Sequence, residues 1–213
     1  MTLQLRQLVG CLIGLTVLST ACAAAEKGVI GTAAGQRAIV SGVRFACGEW
    51  SLKSRQTCPA AVRGYEPKMV IYATKLTPGV MKLAQAFEQQ IVNDGELKWS
   101  FVEVLDAKGA RSTTKSDEYY TRSALEERLK EIRVLAEEHE IERLTFGLSA
   151  APAKSERARI GIPDDADTLV VFIQGSKPSG SRMVRFVEAI DSSELDEKKI
   201  DSLIQKMDKV RLR

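Results

Sequence analysis

The chain is poor in the residues from which catalytic and metal sites are usually built. Its 213 residues include one histidine, four cysteines and two tryptophans. A lone His139 and so few cysteines cannot supply the four-ligand set of a zinc site, so neither a metal nor any other cofactor is expected. No nucleophile, base and acid fall together in the sequence, and an enzymatic role is not expected. Charge of one sign is not in excess either. The net charge of +3 falls by one if Arg6 is lost with the N-terminus, and both signs are interspersed, which gives no support for nucleic-acid binding. Past the first residues there is no apolar run long enough to cross a bilayer, so no span is expected in the mature chain.

The N-terminus itself reads as a cleavable secretory signal over residues 1–25. Arg6 is the only charge before Glu26, and Leu8 to Leu18 is an unbroken run of apolar and small residues. As a helix, a run of about 11 residues spans about 16 Å, roughly half a hydrocarbon core, which suits a signal rather than an anchor. Ser19-Thr20-Ala21-Cys22-Ala23-Ala24-Ala25 then supplies small residues for cleavage. Cys22 is a secondary candidate for lipidation, although Leu18 stands one place too early for that signal. The expected location is therefore the periplasm, the cell surface or the medium, with a lipid anchor through Cys22 as the lesser alternative.

Removing the signal leaves Cys47 and Cys58. In an oxidising compartment two cysteines are most simply a structural disulfide, worth about 2–3 kcal/mol for a short loop. A free reactive thiol is the alternative, although Cys58-Pro59-Ala60-Ala61 is only half of a C-x-x-C pair.

Residues 26–66 are rich in Gly, Ala, Ser and Arg and read as a linker and an irregular segment, with short strand-like pieces at Ala38–Val40 and Val43–Ala46. The folded domain is expected over 67–213. Met69–Ala73 is a continuous apolar run, as in a strand covered on both faces. Thr77-Pro78 starts a helix, with Thr as N-cap and Pro at the first position. Its apolar face is Val80, Leu83, Ala84, Phe87 and Ile91, and Asp94-Gly95 ends it. A strand follows at Trp99–Leu105, then a polar stretch from Asp106 to Arg122, which at about 17 residues is long for a compact domain and is either functional or a mobile insertion. Ser123-x-x-Glu126 reads as a capping box for a helix facing inward through Leu125, Leu129, Ile132 and Leu135. Strands at Leu144–Leu148 and Thr168–Gln174 flank a short helical turn near Lys154–Arg159. Gly175–Ser181 is a turn into a hairpin partner at Met183–Ile190. Ser193-x-x-Asp196 caps a last helix, buried through Leu195, Ile200, Leu203, Ile204 and Met207. The order β-α-β-α-β-(α)-β-β-α predicts an α/β fold: one mixed central sheet with helices on both faces.

This order resembles the thioredoxin superfamily, in the arrangement of its exported thiol-disulfide and peroxidase-type members, which carry an extra helix and strand in the middle. The resemblance covers roughly Tyr65 to Arg213. It implies a reactive dithiol after the first core strand, at the start of the next helix, where the helix dipole and free N–H groups lower a thiol pKa. In this chain that place holds Leu76-Thr77-Pro78-Gly79. The resemblance also implies a cis-proline directly before the strand matched by Thr168–Gln174. The residue there is Asp167, and Pro163 stands four residues too early. A threonine hydroxyl cannot replace an attacking thiolate, so disulfide exchange at this site is not expected.

Other groups have plainer explanations. His139 lies in Glu137-Glu138-His139-Glu140, which reads as a solvated helix face. Gly175–Arg182 has the composition of an anion-binding nest but no helix follows it. Lys154, Arg157 and Arg159 form a small basic group that suits an acidic partner or plain exposure. The Thr74–Gly79 loop, beside a helix start, suits an extended peptide or an anion, although N-capping already accounts for Thr77. The expected role is a non-catalytic exported module that binds an unidentified protein or peptide or serves a structural part. The alternative is an atypical thiol-disulfide oxidoreductase using Cys47 and Cys58.

Overall fold

The structure, a computed structural model, describes residues 42–49, 56–57, 66–111, 116–175 and 182–211. The expected signal, Cys22, Cys58 and the tip of the 175–181 turn lie outside them. Seven strands form one sheet in the order β2-β1-β5-β4-β3-β6-β7. They are β1 (Val43–Cys47), β2 (Gln56–Thr57), β3 (Lys68–Ala73), β4 (Phe101–Val104), β5 (Thr145–Ser149), β6 (Thr168–Gly175) and β7 (Arg182–Ile190). The three strands β3, β4 and β5 run parallel, with Val70 opposite Phe101 and Val102 opposite Phe146. β6 lies antiparallel on β3 and β7 antiparallel on β6, the hairpin expected from the Gly175–Ser181 turn.

The helices are α1 (Pro78–Asn93), α2 (Arg122–Glu138), α3 (Ala153–Ile160) and α4 (Glu197–Arg211). α1, α2 and α4 share one face of the sheet. Val80, Leu83, Phe87 and Ile91 of α1 meet Ile71, Val102, Val170 and Phe172 there, together with Leu125 and Ile132 of α2 and Leu203 of α4. Full burial of Phe87 alone contributes about 2–3 kcal/mol. The other face is served by α3, where Ile160 packs on Val70, Leu169 and Val171. Strands buried on both sides explain the continuous apolar runs, since alternation is needed only where one face meets water. The predicted mixed sheet with helices on both faces is the observed one.

A charged group also joins the layers. Glu88, buried in α1, accepts hydrogen bonds from the backbone N–H groups of Arg143 (3.0 Å) and Leu144 (2.7 Å), which pins the helix to the start of β5. Such a carboxylate replaces its lost hydration with fixed donors.

Three local readings change. The strand-like piece at Val43–Ala46 is β1, and it pairs antiparallel with β5, so the sheet already begins inside the stretch read as linker and irregular segment. α2 starts before the Ser123 box: Thr121 has extended backbone, and its hydroxyl accepts from Ala124 N. Asp196, not Ser193, caps α4 by accepting from Lys199 N at 2.7 Å; Ser192–Glu194 forms a separate 3-10 turn held by Asp191. At both helix starts several hydroxyl or carboxyl residues lay within one turn, and the one directly before the first helical residue took the role.

Candidate functional site

The carboxyl ends of β3, β4 and β5 and the starts of α1, α2 and α3 lie at one end of the sheet. In open sheets of this kind, ligands are received at such an end. The place of the expected dithiol lies here, and the structure brings Leu76, Thr77, Pro78, Gly79 and Asp167 together around it. Leu76 is half-buried against the core. Thr77 is the N-cap of α1: its hydroxyl accepts from Val80 N at 3.3 Å, and its carbonyl from Met81 N at 3.0 Å. Pro78 occupies the first helical position and is exposed. Gly79 is pressed against the 3-10 turn, so that a Cβ at this position would lie 2.4 Å from the Ser192 carbonyl oxygen. Only glycine fits under that backbone, which explains why a flexible residue sits one step inside a helix.

Asp167 binds the parts of this end to one another. Its carbonyl accepts from Thr74 N at 3.0 Å and from the Thr74 hydroxyl at 3.3 Å, which extends the β3–β6 ladder by one step. Its carboxylate accepts from Ser192 N (2.8 Å), the Ser192 hydroxyl (2.7 Å) and the Thr168 hydroxyl (2.9 Å). Its own N–H donates to the Ile190 carbonyl at 3.3 Å. The residue standing where the resemblance implies proline thus joins β3, β6, the end of β7 and the turn before α4. A proline could make neither the carboxylate bonds nor the N–H bond.

A second polar cluster, which the sequence reading missed, lies at the end of β4. Asp106 accepts a bidentate pair from Arg128 of α2, at 2.7 Å from Nε and 3.1 Å from Nη2, and a 2.7 Å bond from the Tyr120 hydroxyl. Its backbone carbonyl accepts from Ala153 N at 2.7 Å, which closes the start of α3. Arg128 also donates to Glu131 at 2.9 Å. Burial and the bond to Asp106 push the Tyr120 pKa up to about 12, and the same carboxylate, through its hydrogen bond, raises that of Arg128. Both groups therefore hold their protons at neutral pH and act as fixed donors. Together with bonds from Ala110 N to Ser149 O and Arg111 N to Ala150 O, the cluster fastens both ends of the long polar stretch. The sequence signals were an aspartate directly after an apolar strand and an aromatic pair, Tyr119-Tyr120, in an otherwise polar run.

The sulfur candidate lies elsewhere. Cys47 is a free thiol at the end of β1, half-buried against the α2 side of the core. Burial pushes its pKa up to about 11, against smaller opposing effects from the Phe146 backbone and Arg133. Cys58, its expected disulfide partner, lies outside the described residues.

The remaining candidates are used locally. The His139 backbone carbonyl accepts from Gln85 at the end of α2. Arg157 donates to the carbonyls of Pro163 and Ala166, and Arg159 pairs with Glu156, so the basic group around Lys154 is largely committed to its own chain. Among the described residues no group of His, Cys, Asp or Glu could hold a metal ion, and no helix is long and apolar enough to cross a membrane.

No protein-family model matches this chain, and no curated protein does. Solved structures do. A peroxiredoxin-like protein from Aquifex aeolicus matches with a TM-score of 0.50 at 14% identity, over 84% of this chain and 88% of that one. A putative protein disulfide isomerase from Bacteroides thetaiotaomicron gives 0.50 at 12%, over 85% and 93%. A yeast mitochondrial 1-Cys peroxiredoxin gives 0.50 at 11%, over 83% and 78%. At such identities the likeness establishes the fold, which is thioredoxin-like, and leaves function to the site.

Proposed function

We propose that this chain is an exported, non-catalytic thioredoxin-like domain that acts as a binding or structural module at the cell envelope, its partner a protein or peptide. The observation that carries this reading is the helix start at Leu76–Gly79. It has no sulfur, and its hydroxyl is already engaged as an N-cap. Asp167, beside it, spends its carboxylate on Ser192 and Thr168. The N-terminal signal pattern supports export, and mass spectrometry of the mature N-terminus would show whether cleavage falls near residue 25 or at a lipidated Cys22.

The test is a cross-linked pull-down with the mature chain from periplasmic and cell-surface fractions. One reproducible partner, protected against exchange with the unlabelled chain, is expected; reproducible recovery of nothing would overturn the reading. The rival is a thiol-disulfide oxidoreductase working through Cys47 and Cys58. Its support is that the solved structures of like fold include proteins named as peroxiredoxins and a putative disulfide isomerase. Against it stands the Cys47 environment, since a thiol with a pKa near 11 is almost wholly protonated at neutral pH and attacks disulfides slowly.

A further inference from the structure

We draw no further inference here: the strongest candidate, the Tyr120–Asp106–Arg128 side-chain cluster at the carboxyl end of β4, closes its hydrogen bonds on itself and on Glu131, and nothing in the structure shows a ligand that it would hold.

Discussion

Two places among the described residues invite sulfur chemistry, and each has what the other lacks. The start of α1 has the electrostatics: a helix of 16 residues whose positive dipole end lies at the carboxyl end of the sheet. It presents threonine, proline and glycine. The end of β1 has the sulfur, but Cys47 is half-buried against the core, where the thiolate is disfavoured. A reactive cysteine needs nucleophile and environment at one point, and among the described residues they are separated. The fold alone is therefore no evidence for its usual chemistry.

The comparison is broken most directly by moving the sulfur. In Thr77→Cys the new thiol sits at the helix start, and its pKa is expected to fall below the ordinary value of about 8.5. At pH 7 it should react with iodoacetamide about a thousandfold faster than Cys47, since the two pKa values then differ by several units. Equal rates, read by peptide mapping of the alkylated variant, would show that the α1 start has lost its activating field.

A change at Asp167 sharpens the same contrast from the structural side. Asp167→Ala removes three carboxylate bonds and leaves Ser192 buried without its acceptor, at an expected cost of about 3 kcal/mol in urea unfolding. A loss below about 0.5 kcal/mol would mean that Asp167 is not what holds this end together.

The smallest effect is the pH dependence of Cys47 itself. Burial holds its folded pKa above the ordinary thiol value, so the protonated thiol is the form that the fold favours. The associated stability is complete below pH 9 and is lost as the pH rises toward 11. In the native protein the alkylation rate should climb about tenfold per pH unit up to that point. A plateau near pH 8 would reveal an activated thiol instead.

Much of the fold was legible because the central strands are buried on both faces. Met69–Ala73 and Thr168–Gln174 had to be continuous apolar runs, and Thr77-Pro78 carried its cap in two residues. β1 was only half-legible: five residues long, it draws its order from β5, about a hundred residues further along, and no local pattern encodes that pairing. The place where the resemblance implies a dithiol was readable from the order of elements, but how that place is built was not. Asp167 and Ser192 are 25 residues apart, and Asp106 and Arg128 are 22. Each belongs to a polar stretch in which many residues could have formed such a bond.

The central claim is tested most directly by a disulfide-exchange assay on the purified mature chain, with insulin as substrate and a thiol reductant to recycle it. No turnover above the reductant alone is expected, and Cys58→Ser should change nothing. Sustained turnover that Cys58→Ser abolishes would show that this domain runs thiol chemistry from outside the position where its fold usually places it.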